Sequence, residues 1–257
     1  MQPDDGIDYS NDQQIGPGLV EMRYLDAYRF IFQSPKWLTN VLLSGVCMLV
    51  AGIIPIVPQL VLMGYQFEII EALHRRPNQM YPDFDLNRLA DYLTRGMWPF
   101  LVTFVASFVL IPVGFVLMFG FMAIFGSVMA AGASTTVTVL IGALLVIVLI
   151  ALSVLAGIVS VPMSLRAGLA QDFAAGFDFE FIKSFVSRVG LELLLTWLFL
   201  IASGFILTIV GFLACFIGAF VSVALWMLAQ GHLMYQLYEL YLSRGGAPIP
   251  LKTDARR

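Results

Sequence analysis

Three stretches of the chain hold no Lys, Arg, Asp or Glu: residues 38–67, 96–165 and 193–238. Crossing the hydrocarbon core of a bilayer, ~30 Å thick, takes roughly 20 helical residues. The middle stretch, 70 residues long, therefore predicts two helices rather than one. It divides at "GSVMAAGASTT" (126–136), where small and turn-forming residues interrupt the apolar run. The last stretch divides near Gly211. The first divides at "IIPIVP", because Pro55 and Pro58 lack N–H donors and disfavour helix in the residues before them. The pattern thus predicts about six transmembrane helices as three hairpins, at about 35–74, 96–170 and 189–242.

The segments between these stretches have helical periodicity of their own. Each hairpin opens with an aromatic and basic segment: "YLDAYRFIFQSPKW" (24–37), "FDLNRLADYLTRGMW" (84–98) and "FDFEFIKSFVSRVG" (177–190). In the second, Leu86, Leu89, Ala90 and Leu93 share one helix face; in the third, Phe181, Ile182, Phe185 and Val189 do. These openers are expected to be short amphipathic helices lying along the membrane interface. Asp85 and Asp178 are predicted N-caps, each with a Phe before it (Phe84, Phe177) placed to act as a staple. Each hairpin leaves through a helix that stays amphipathic, as in "GYQFEIIEALHRR", "LRAGLAQDF" and "GHLMYQLYELYLSR".

Charge then decides the threading. If 38–67 is a hairpin, the 14 Lys and Arg residues fall in four groups that all lie on one side of the membrane. They are Arg23, Arg29 and Lys36; Arg75, Arg76, Arg88 and Arg95; Arg166, Lys183 and Arg188; and Arg244, Lys252, Arg256 and Arg257. A single crossing would split them. The tendency of Lys and Arg to stay inside makes the shared side cytoplasmic, with both termini there. Composition agrees, with 60% of residues hydrophobic and 12% charged, against roughly 25% charged in soluble domains. The expected fold class is an all-α polytopic integral membrane bundle, a single transmembrane domain over 23–242. Residues 1–22 read as a disordered acidic tail without the features of a cleaved signal, and 243–257 as a C-terminal tail without a lipidation signature.

Candidate chemistry is sparse. No ionisable residue is predicted deep within a span, which argues against proton- or sodium-coupled transport. His74 and His232 fall at interfacial positions, His232 within reach of Gln230 or a headgroup. Cys47 and Cys215 sit in apolar runs as small hydrophobes. With no metal, nucleotide or nucleophile motif, no catalytic residue, metal site or cofactor is expected, and no nucleic-acid partner. The basic residues of the connectors, His74, Arg75, Arg76, Arg88, Arg95, Arg166, Lys183 and Arg188, are the candidate contacts for anionic lipid or a protein partner. Gly211, Cys215, Gly218 and Ser222 fall at i, i+4, i+7 and i+11, a small-residue face for close helix packing, in a homo-oligomer or against a membrane-protein partner among other settings. The expected function is non-enzymatic: organising membrane lipids or protein partners through cytoplasmic amphipathic helices. The alternative is passive or lipid-handling transport through an apolar cavity between hairpins.

"AYRFIFQSPKWLTNVLLSG", "IPIVPQLVLMGYQFEIIEAL" and "YPDFD" carry a further signal. Tyr28, Arg29, Pro35, Trp37, Gly64, Tyr65, Pro82, Phe84 and Asp85 together resemble a prokaryotic family of multi-pass membrane proteins of unknown function, number 4013 among the domains of unknown function. Ser34 stands where that family commonly has an acidic residue. The resemblance is strongest over 24–100 and looser to about 242. It implies a polytopic bacterial or archaeal inner-membrane protein and brings no activity or catalytic residues with it.

Overall fold

The computed structural model describes residues 21–76, 80–132 and 134–252. Among them there is no strand. Helix α1 (Asp26–Arg29) runs into a 3₁₀ turn (Phe30–Gln33) and is followed by α2 (Trp37–Ala51) and α3 (Val57–Arg75). A second 3₁₀ turn (Leu86–Arg88) leads into α4 (Leu89–Ala130), which pairs with α5 (Thr135–Ala170). A third 3₁₀ turn (Ala174–Phe177) precedes α6 (Phe179–Leu213) and α7 (Cys215–Ser243). The helices pair in sequence as three hairpins, and α7 also packs on α2 and α3, which closes the bundle. Leu86–Ala130, Thr135–Ala170 and Phe179–Leu213 are long and apolar enough to cross a membrane. α2 is apolar but has 15 residues, ~22 Å at 1.5 Å per residue. α3 carries Glu68 and Glu71 in its second half.

The breaks fall where local chemistry puts them. Gly52 and the Pro55–Pro58 segment end α2, with Pro58 in the first turn of α3, where its missing N–H costs nothing. Ser134 caps α5 by accepting from the Val137 N–H at 3.5 Å. α5 ends on Gln171 in the left-handed region (φ 53°), and the Gln171 side chain donates to the Gly168 carbonyl. Asp178 caps α6, accepting from the N–H groups of Glu180 and Phe181 at 3.1 Å each. Asp85 caps its 3₁₀ turn through Asn87 at 2.9 Å. Phe177 and Ile182 both pack on the same small cluster of Val102, Met163 and Ala167.

Two expectations change. The second opener is not a separate interfacial helix. α4 runs as one helix from Leu89 through its span, whereas α6 is two helices, opener and span, that meet at a kink. Nothing between Leu89 and Trp98 stops a helix. In the third, non-helical angles at Val189 (φ −129°, ψ 21°) mark the joint between opener and span. Pro35 does break the first opener, which stays a separate element. The C-terminal stretch read as a tail also packs, over 244–252. Ile249 is buried and donates its N–H to the Tyr238 hydroxyl at 2.8 Å, while Ala247 donates to Tyr241 at 3.1 Å. Residues 1–20 of the N-terminal tail lie outside the described residues.

Burial runs along the bundle rather than around it. The core gathers at one end, from the second half of α3, the start of α6 and the ends of α5 and α7. Among the described residues, none from 103 to 153 is buried. The distal α4–α5 hairpin is an apolar arm, and a Cβ added at Gly120, Gly126 or Gly142 would meet nothing within 4 Å.

Candidate functional site

The charged residues collect at the packed end, and a close crossing puts them there. α3 and α4 meet at Gly64 and Gly96, where a side chain on Gly64 would overlap the Tyr92 backbone and one on Gly96 the Leu60 carbonyl. With the backbones so near, the next turns of α3 bring carboxylates to α4. Glu68 pairs with Arg88 at 2.5 Å. Glu71 takes both Arg75 at 2.7 Å and Arg95 at 2.9 Å. Gln66 donates to the Met227 carbonyl of α7 at 2.6 Å, and His74 Nδ1 lies 2.5 Å from Glu239 on the same helix. On the far side, Arg166 meets Asp178 at 2.5 Å with its guanidinium over the Phe181 ring. Gln171 closes the layer by donating to the Arg95 carbonyl at 3.1 Å.

Four of the eight predicted basic contacts (Arg75, Arg88, Arg95 and Arg166) are thus ion-paired with carboxylates of this chain, and His74 is hydrogen-bonded to Glu239. Arg188 donates to the Arg244 carbonyl, and Arg244 reaches back to Arg188 and to Glu192. Arg76 sits at the end of α3 and Lys183 is exposed on α6. The signal for this pairing was in the sequence: Glu68, Glu71, Asp178 and Glu239 lie among the same segments. What a linear reading lacks is which helix faces which.

A second cluster fixes the 80–85 loop on α2. Asn40, fully buried, donates to Asp83 at 3.1 Å and accepts from the Phe84 N–H at 3.0 Å. Ser34 and Lys36 also reach Asp83, at 3.1 and 3.2 Å. Burial works to raise the Asp83 carboxyl, but the hydrogen bonds from Asn40, Lys36 and Ser34 outweigh it and hold the group below the ordinary aspartate range. Tyr81 donates to the Ile31 carbonyl at 2.7 Å and Tyr65 to the Pro82 carbonyl at 3.0 Å. The rings of Tyr65, Phe84 and Tyr92 meet with centroids 4.9–5.7 Å apart. Gly64, Tyr65, Pro82, Phe84 and Asp85 therefore stand together in one knot that joins the first hairpin to the second. Periodicity missed Asn40 and Asp83, which complete it.

The remaining candidates have packing roles. The four small residues do not form one helix face: the chain breaks at Ala214, which leaves Gly211 on α6 and Gly218 and Ser222 on α7. A Cβ at Gly211 would stand 2.6 Å from the Ser222 Oγ, and one at Gly218 2.6 Å from the Gly211 carbonyl oxygen, so these residues pack α6 against α7. The Cys215 side chain lies outside the described residues. His232 meets Gln236 rather than Gln230, at 3.0 Å, and stacks on Phe30 with centroids 4.2 Å apart. Among the described residues no group of three or more His, Cys, Asp or Glu is placed to hold a metal ion. Two grooves occur inside hairpins. One, of about 280 Å³, lies between α4 and α5 with an apolar lining that includes Phe121 and Leu145; the other, of about 220 Å³, lies between α6 and α7 beside Trp226.

No curated protein and no solved structure matches this chain. A family model does, over residues 47–231, so that the positions of the first opener (Tyr28, Arg29, Pro35 and Trp37) precede the matched region while Gly64, Tyr65, Pro82, Phe84 and Asp85 lie inside it. The chain belongs to the family described as Protein of unknown function (DUF4013).

Proposed function

We propose that this is a non-enzymatic multi-pass protein of a prokaryotic inner membrane that organises lipids or protein partners. In this reading all six hairpin helices cross, the charged end faces the cytoplasm and both termini lie there. The observation that supports it most is the division of the molecule along its length. One end is closed by ion pairs made within the chain, and the other is an apolar arm with no buried residue from 103 to 153 among those described. A self-satisfied polar layer fits a platform held at the membrane surface. A large exposed apolar face fits an element that lipids or another membrane protein cover.

Passive or lipid-handling transport is the second reading, favoured by the apolar groove between α4 and α5. That groove and the one beside Trp226 lie within hairpins, whereas a transport path would run between them. Extraction of the full chain directly into native nanodiscs, with mass spectrometry of what co-purifies, tests the proposal. A reproducible lipid or protein companion is expected. A bare chain that speeds lipid exchange across proteoliposome membranes would overturn it in favour of the second reading.

A further inference from the structure

The first opener presents two cations whose internal ion pairs leave them largely exposed. Ala27, Phe30, Ile31 and Ser34 turn inward and are buried. Leu25, Arg29 and Phe32, at i, i+4 and i+7, turn outward, and Lys36 follows past the break at Pro35. Leu25 is 65% and Phe32 51% exposed. The side chains of Arg29 and Lys36 are 75% and 68% exposed. The outward stripe then continues along α2 through Leu38, Leu42, Val46, Leu49 and Ile53, all exposed and all apolar. One continuous face thus passes from cations and aromatic rings to hydrocarbon alone, the order met on going from the headgroup layer into the acyl chains.

Its donors are open. A guanidinium carries five N–H groups. Arg29 spends one on Asp26 at 3.4 Å, and Asp26 is shared with Arg23 at 4.0 Å. Lys36 has three N–H groups and leans on Asp83, whose Oδ1 already accepts from Ser34 and Asn40. Phe32 and Trp37 pack edge to face at 5.0 Å, between the two cations and the apolar stripe. We infer that this face binds the headgroup of an anionic phospholipid: Arg29 and Lys36 hold the phosphate oxygens and the acyl chains lie along α2. The inference rests on the membrane reading above and names the lipid class and its residues, whose side chains are more exposed than those of the paired connector set.

The full chain, delipidated in detergent and titrated with phosphatidylglycerol or phosphatidylcholine, is followed by native mass spectrometry. The expected result is a preference for phosphatidylglycerol that falls about tenfold in the double variant R29Q/K36Q. Exchanging the cations (R29K/K36R) keeps it, and Lys252→Gln, at an exposed C-terminal cation, changes it less than about twofold. Should the double variant fail to fold, Arg29→Gln alone, which touches only the exposed Asp26 contact, serves the same comparison. Equal binding of both lipids by the unaltered chain, or undiminished preference in the Gln variants, would overturn the inference. Recovery of the chain outside the membrane fraction would instead sink the membrane reading beneath it.

Discussion

Asp83 shows how one side chain can hold two hairpins together. It accepts from residues on both sides of the α2 start, and its carboxyl is held below the ordinary range by Asn40, Lys36 and Ser34 against the effect of burial. Because the folded-state value is depressed, the stabilisation is complete above the unfolded aspartate value of ~3.9 and is lost as pH falls through the lower folded value. Asp83→Asn is therefore expected to lower the thermal midpoint most at pH 6, with the gap to the unaltered chain closing toward pH 3. A gap independent of pH would contradict the assignment. Gly64 makes a different point. Adding a methyl group there drives it into the Tyr92 backbone, and such overpacking costs about 1–3 kcal/mol. Gly64→Ala should lower the unfolding free energy by that amount, while Gly120→Ala, which meets open space, should leave it unchanged or raise it.

At the level of the element, the three hairpins were legible because ionised side chains avoid hydrocarbon. The turn at 131–132 falls within the segment expected from small residues, the one at 52–56 overlaps the expected 53–58, and the third, expected near Gly211, comes three residues later at Ala214. The fusion of the second opener with its span was not legible, since amphipathic and wholly apolar periodicity join there without a breaker. α4 has 42 residues, ~63 Å at 1.5 Å per residue, longer than any single crossing needs. Its first turns are consumed by packing on α3. Ile147, 63% exposed midway along α5 of that arm, should tolerate apolar exchange. Ile147→Arg should cut the membrane-integrated fraction, in line with a cost of about 2.5–3.5 kcal/mol for a central Arg. Unchanged integration would place the arm outside the hydrocarbon.

For the whole molecule, the basic connector residues illustrate what a chain read in one dimension hides. Their grouping on one side was visible; their pairing with Glu68, Glu71, Asp178 and Glu239 required the fold. The consequence is that the charged end is a structural layer, and its sidedness is the claim on which every functional reading depends. The direct measurement is labelling of single cysteines, introduced after replacement of Cys47 and Cys215, in membrane vesicles of known orientation. Met80→Cys and Lys183→Cys should react from the cytoplasmic face alone, and Ile54→Cys and Gly132→Cys from the opposite face alone. Reaction of Met80→Cys and Lys183→Cys from opposite faces would contradict the account.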